Sequence, residues 1–387
     1  MLFSHKKEGK IVLMLEIQSS LTRGSLVWFR SGRPPMVLST DSRAVPYKSD
    51  VDTSYFIKTT MQVLAETIDD ALRRLASLKT EENRRMGMPR AVKEAHYVLS
   101  SPWIASQARS LSLSFHKDTA ITGDKVAGIL DAERAALAPE GSAILEAIEE
   151  KIFDVRLNGY SVSAWRGKQA RELGISYAVS VCGADTTRRL RRACERAVKP
   201  ADVHFHSSLL LQYVGLCKAM PARDSYILIH VHGELTDAVV VKDGSCVFFG
   251  SYPMGTNTVV RKIAKAAKTD VEIADSLLTL YLSDKFDREH GKQAEKIMEE
   301  MSAGWSGEFK KLFKDSPLAE SMPTEAIMAA RAHEDFFLRS FSAAYPGIRL
   351  QTLSIEDISP LIEFDAPAEL KRVVGLYALA INSLKKD

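Results

Sequence analysis

A chain of 387 residues, 45% hydrophobic and 26% charged, is long enough for two or three domains with real cores. Its net charge of +3, with acids and bases interleaved, leaves no electrostatic footprint that would point to nucleic acid. No run approaches the roughly 20 apolar residues of a membrane span, and the start, MLFSHKKEGK, lacks the apolar stretch of a signal peptide. The four cysteines, Cys182, Cys194, Cys217 and Cys246, are scattered without a C-x-x-C, which reads as reduced, mostly buried thiols of a cytoplasmic protein.

Residues 10–18 are an apolar run with polar edges, a buried strand, and residues 24–30 and 35–39 continue it as a meander. Residues 53–78 carry Phe56, Met61, Leu64, Ile68, Leu72 and Leu75 at helical spacing. A polar, basic stretch follows, with Arg84, Arg85, Arg90 and Lys93 around a loop. From residue 94 the rhythm changes: strands at 95–101 and 109–115, a helix from Thr122 to Leu137, and strands at 142–156 and 159–165. The last two are joined through Asn158-Gly159, a hairpin signal. A strand at 174–182 and a helix at 185–198 close this α+β unit. The helix has a basic face of Arg188, Arg189, Arg191, Arg192 and Arg196, read as a solvated face. Trp103 and Trp165 read as core. Beyond Pro200 come a short strand, a helix at 207–219, and a hairpin over 226–255. Helices then lead to a strand at 326–330, an edge strand at 348–354 and a last helix at 367–383.

The hairpin YILIHVHGELTDAVVVKDGSCVFFGSYPMG resembles the second phosphate-binding hairpin of the actin-like ATPase superfamily, in its FtsA and PilM branches. Gly233, Thr236, Asp237, Val239–Val241, Asp243-Gly244, Pro253 and Gly255 follow that family's cadence. Glu16-Ile17-Gln18-Ser19-Ser20 lies where the first phosphate loop, D-I-G-[ST]-[ST], is expected. Residues 95–182 resemble the small inserted subdomain of FtsA, and LKRVVGLYALAI resembles the terminal helix. The resemblance implies an α/β, actin-like (ribonuclease H-like) two-lobe fold, with duplicated mixed sheets flanked by helices and a small inserted α+β subdomain. The implied division is 1–93 for the first part of lobe I, 94–183 for the insertion, 184–222 for the return, 223–365 for lobe II and 366–387 for the terminal helix.

The chemistry departs from the family pattern. Glycines there let backbone N–H groups reach phosphates, and carboxylates hold Mg²⁺. Here His230 replaces an acid, while Gln18, His232 and Glu234 replace small residues. Glu16 is one methylene longer than the expected Asp, and Ala326–His333 has no glycine beneath the base. The degenerate nucleotide cleft thus comprises Glu16, Gln18, Ser19, Ser20, His230, His232, Gly233, Glu234, Thr236, Asp237 and Gly255. The expectation is a non-hydrolysing pseudo-ATPase, with ATP and Mg²⁺ the group lost and no catalytic residue. It would be a scaffold for division or envelope assembly, or a PilM-like component of a type IV pilus or secretion system clasping a short peptide of a membrane protein. Self-association into dimers or filaments is compatible with either role. FtsA carries a C-terminal membrane-binding helix, whereas this sequence passes from its last helix to Lys385-Lys386-Asp387, so attachment at the inner membrane is expected through a partner.

A reading of a different class rests on the nine histidines, four of them in two H-x-H pairs, His204/His206 and His230/His232. Alternate residues of a strand share a face, and imidazoles with Glu16 would suit Zn²⁺ at the cleft floor. The competing reading makes these histidines ordinary hydrogen-bonding groups.

Overall fold

The computed structural model describes residues 9–46, 53–81, 83, 87–137, 145–198, 202–283, 291–314, 316–330, 332–365 and 372–384. Arg84, Arg85, Arg331 and Lys385–Asp387 lie outside them.

The first apolar run forms β1 (Lys10–Ile17), buried on both faces from Ile11 onward, as a central strand must be. It pairs antiparallel with β2 (Leu21–Phe29), which pairs with β3 (Met36–Ala44). On its other side β1 is parallel to β4 (Val92–Leu99), and β4 is parallel to β9 (Asp202–Ser207). The second half repeats this pattern. β10 (Tyr226–Val231), β11 (Thr236–Lys242) and β12 (Ser245–Tyr252) form a meander; β13 (Glu325–Ala330) lies parallel to β10, and β14 (Arg349–Thr352) parallel to β13. In each lobe the meander's first strand is central, with two parallel strands beyond it. A short β15 (Glu363–Phe364) adds to the free edge of β3. The lobe II meander turns at Asp243-Gly244, both with positive φ (49° and 72°), the backbone that a tight two-residue hairpin requires.

The insertion has its own sheet, in the order β5 (Ile104–Ala120), β8 (Gln169–Gly183), β6 (Leu145–Leu157) and β7 (Tyr160–Ser161), packed against α2 (Gly123–Leu137). Two boundaries differ from the sequence expectation. The strand at 95–101 belongs to lobe I, not to the insertion. Tyr97, Val98 and Leu99 are buried on opposite faces, and only a central place between β1 and β9 provides two covered faces. Residues 363–364 extend the sheet of lobe I rather than lobe II. The expected strand at 159–165 is only the two residues of β7, after an Asn158-Gly159 turn whose residues both have positive φ.

Helix α1 (Thr53–Ser77) and α3 (Ala184–Ala197) cover the outer face of the lobe I sheet. Trp103 joins that core and Trp165 the core of the insertion, both as expected. Three of the five arginines of α3 are occupied locally: Arg188 and Arg189 pair with Asp185, while Arg191 donates to the carbonyl of Val203 and lies over the Phe205 ring. In lobe II, α5 (Thr256–Ala267), α6 (Val271–Leu282), α7 (Gly291–Lys311) and α8 (Glu334–Ala344) enclose Trp305, Phe309, Phe337 and Phe341. Each such ring contributes about 1.5–3 kcal/mol on burial.

Between the two sheets lie α4 (Ser208–Ala219) and α9 (Arg372–Leu384). Residues 208–216 are buried all round, and so are Val373–Ile381, the pattern of helices with no solvent face. They cross at Gly215, where a Cβ would lie 2.5 Å from the carbonyl oxygen of Leu376. Among the described residues no helix is long and apolar enough to cross a membrane. Cys182, Cys194 and Cys246 are buried, Cys217 partly so, and all four are free thiols. Burial pushes Cys182 and Cys194 up to about 11, leaving them protonated and unreactive near neutrality.

Candidate functional site

The turns between the first two strands of each lobe face one another across the lobes. In lobe I, the Gln18 N–H donates to the Leu21 carbonyl at 3.0 Å, closing the turn. The Gln18 carbonyl accepts from the Trp103 indole at 3.1 Å, and the Ser20 carbonyl accepts from the Val45 N–H at 2.8 Å. Glu16, 3% exposed, stands opposite Arg23 in the β1–β2 register and forms an ion pair with it. Its other oxygen accepts from Gln18 Nε2 at 2.7 Å and from the Tyr377 hydroxyl at 3.0 Å. Burial, and then the carboxylate of Glu16, push the Tyr377 phenol well above its ordinary range, so it remains a donor. Both carboxylate oxygens are thus occupied by the chain itself.

In lobe II, the His232 N–H donates to the Leu235 carbonyl at 2.8 Å. The carbonyls of His232 and Gly233 accept from the N–H groups of Thr256 and Asn257 at 2.9 and 2.7 Å. These are first-turn donors of α5, the groups that would otherwise bind an anion. Gly255 permits this approach, because a Cβ there would sit 2.4 Å from the His232 oxygen. Glu234 turns toward α5, where it pairs with Arg261 and accepts from Asn257 and Thr258, both at 3.1 Å. Thr236 donates to the Met254 carbonyl at 2.8 Å and accepts from the Trp305 indole at 3.1 Å. The fully buried His232 donates from Nε2 to Asp237 Oδ2 at 3.0 Å. Burial, the largest influence, would raise the Asp237 carboxyl, but His232 together with hydrogen bonds from Ser101 and Ser251 holds it below its ordinary value. His230 Nδ1 accepts from the Gln212 amide at 2.9 Å, and its ring centroid lies 4.0 Å from that of His232. Burial first, then His232, Arg23 and Arg372, push His230 well below its ordinary value and keep it neutral.

The two turns touch. A Cβ on Gly233 would lie 2.0 Å from Ser20 Oγ and 2.4 Å from Ser20 Cβ. The glycine that would let backbone approach a phosphate instead lets the two turns pack together. Beyond β13 the backbone N–H of Ala330 donates to Glu334 at 3.0 Å, and Glu334 accepts from Arg372 at 2.9 Å. His333, in the left-handed region with φ 51°, lies 2.6 Å from Asp275. The cavity that reaches Asp237 is about 200 Å³, below the ~300–1,000 Å³ of ordinary ligand sites. The three cleft acids, Glu16, Glu234 and Asp237, each face an arginine or an imidazole. Such a donor set does not fit Mg²⁺, which needs carboxylates free to meet it and its waters.

The sequence-derived residues therefore fall into two turns: Glu16, Gln18, Ser19 and Ser20 in one, and His230, His232, Gly233, Glu234, Thr236, Asp237 and Gly255 in and beside the other. The four histidines fall into two groups with different partners. His230 and His232 face Gln212 and Asp237, whereas His206 contacts His96 and Glu149. Among the described residues, the group whose ligand atoms all lie within 4.8 Å of one another is Glu94, His96 and His204. Sequence reasoning missed Arg23, Gln212, Arg372 and Tyr377. Only Arg23 carried a signal: with the turn placed at 18–20, the hairpin register sets it opposite Glu16.

No family model matches the sequence, and no curated protein matches it. Solved structures do. A chain of a PilM–PilN type IV pilus biogenesis complex superposes with a TM-score of 0.64 at 12% identity, over 98% of each chain. The ethanolamine utilization protein EutJ from Carboxydothermus hydrogenoformans gives 0.44 at 11% identity, over 95% of this chain and 88% of that one. Apo psk41 ParM gives 0.42 at 10% identity, over 97% and 98%. With its duplicated sheets, the paired turns between them and the likeness to the PilM–PilN chain, the chain has the actin-like ATPase fold.

Proposed function

We propose that this protein is a non-hydrolysing scaffold that works by protein–protein contact in an envelope assembly of the type IV pilus or secretion kind. The observation that carries the reading is the filled cleft. Both turns are occupied by their own side chains, Ser20 packs on Gly233, and Glu16 is satisfied by Arg23, Gln18 and Tyr377. The PilM likeness over nearly the whole chain favours a pilus-type role over a division role. On this reading the protein sits at the cytoplasmic side of the inner membrane, held there by a partner that presents a short peptide.

A thermal-shift titration with Mg–ATP tests the cleft. A ligand at one hundred times its dissociation constant stabilises a fold by about 2.7 kcal/mol, so binding would be plain. We expect no saturable rise in melting temperature, and a saturable rise would overturn the proposal. Photo-crosslinking in the native cell tests the scaffold role, with the cytoplasmic segment of an inner-membrane protein as the expected adduct.

A further inference from the structure

A second place in the molecule brings carboxylates and imidazoles together. On the inter-lobe face of the lobe I sheet, Glu94 and His96 lie on β4, and His204 and His206 on the adjacent β9. Glu149, from β6 of the insertion, completes a line. Glu94 Oε2 lies 3.2 Å from His96 Nε2, His96 Nδ1 lies 3.0 Å from His206 Nε2, and His206 Nδ1 lies 3.1 Å from Glu149 Oε1. The other oxygen of Glu149 accepts from the Ser207 N–H at 2.8 Å, which fixes that end.

Both ends of this line are carboxylates, which only accept. Two neutral imidazoles carry one N–H each. Three contacts thus share two protons. With Glu149 anchored, His206 donates from Nδ1 to it, and His96 donates from Nδ1 to His206. The lone pair of His96 Nε2 is left facing an oxygen of Glu94. An extra proton or a metal cation there would turn that contact into an attractive one.

We propose that Glu94, His96 and His204 form a Zn²⁺ site, with His206 and Glu149 orienting His96 from behind. Three observations fit the metal. His204 is exposed, stacks on the His96 ring with centroids 4.6 Å apart, and offers a third ligand atom within 4.8 Å of the other two. Zinc bonds of about 2.0–2.1 Å place tetrahedral ligands about 3.3 Å apart, and the Glu94–His96 contact is 3.2 Å. A ligating histidine whose other nitrogen is fixed through a hydrogen-bonded carboxylate is the usual outer arrangement of zinc sites. Two imidazoles and one carboxylate also suit a borderline ion better than Mg²⁺. The exposed fourth position is left to water. Lys10 pairs with Glu94 and opposes a cation there. Because Glu149 belongs to the insertion, an ion at this site would tie the orientation of that subdomain to the sheet of lobe I.

The test uses the full chain, purified without a histidine tag, stripped with a chelator and titrated with Zn²⁺ against a chromogenic competitor. Co²⁺ reports geometry through its visible absorption. The expected result is about one equivalent bound and an intense tetrahedral cobalt spectrum. H204Q and E94Q should each weaken binding on the order of tenfold or more, as should E149Q through His206, while the exposed control H116Q should leave it unchanged. His204 is on the surface, so its variant keeps the fold. Binding well below one equivalent, or H204Q and E94Q binding as tightly as the native chain, would show that a proton fills the gap and would overturn the proposal.

Discussion

The turn after β1 and the turn after β10 occupy the same place in two copies of one topology, yet they are held by different means. The first is a buried ion pair: Glu16 and Arg23, with Gln18 and Tyr377 completing the carboxylate's shell. The second keeps its inner groups as a neutral imidazole and an imidazole–carboxylate pair, and sends its acid, Glu234, outward to α5. A duplicated backbone fixes where a turn lies, while the side chains decide whether it opens toward a ligand or closes on itself.

The largest expected effect comes from breaking the first turn. Arg23→Ala leaves the carboxylate of Glu16 buried without a counter-charge, at a cost of about 3–5 kcal/mol. Urea denaturation should show it, and the double change Glu16→Met with Arg23→Met should cost clearly less, because no lone charge remains. If the two variants lose equal stability, the ion pair is not what holds the turn.

A middle-sized effect probes the contact between the turns. Gly233→Ala drives a methyl into Ser20, and overpacking of this kind costs about 1–3 kcal/mol. Its partial rescue by Ser20→Gly, in a double-mutant cycle, would locate the strain at that contact.

The smallest effect at neutral pH belongs to the second turn. His230 is held neutral, its folded pKa well below the ordinary 6.5. Below 6.5 the unfolded chain takes up a proton that the folded chain refuses, so stability is full above that pH and falls as pH drops through and below it. Asp237, held below 3.8, adds a loss only at still lower pH. In His230→Asn the stability profile should be flatter between about pH 6.5 and pH 5; an unchanged slope would mean that other groups set it.

Much of the fold was legible because each lobe announces itself through an apolar run followed by a meander with its turn residues. Asp243-Gly244 and Asn158-Gly159 both adopt the positive φ their pairs imply. The strand at 92–99 was misplaced because an apolar strand looks alike in either sheet until its neighbours are known. Within the site, large side chains where glycine would be needed were visible in Gln18, His232 and Glu234. What meets the groups around them was not: Tyr377 reaches Glu16, Gln212 reaches His230 and Arg372 reaches Glu334. Gln212, Arg372 and Tyr377 arrive from helices far along the chain, and no local periodicity encodes such meetings. The H-x-H spacing of His204 and His206 placed both on one face, but their companions Glu94 and His96 depend on a parallel register that no hairpin turn sets.

The crossing of α4 and α9 at Gly215 bears on how this protein is made. Tyr377 reaches Glu16 across 361 positions of chain, and α9 fills the space between both sheets. A ribosome delivers β1 long before α9. Throughout synthesis the acid of the first strand waits without its last donor, and the core shared by the two lobes has a gap the width of a helix. Neither lobe can reach its final form early, so a nascent chain stalled before residue 372 presents an unfinished interior to the cell's chaperones and proteases.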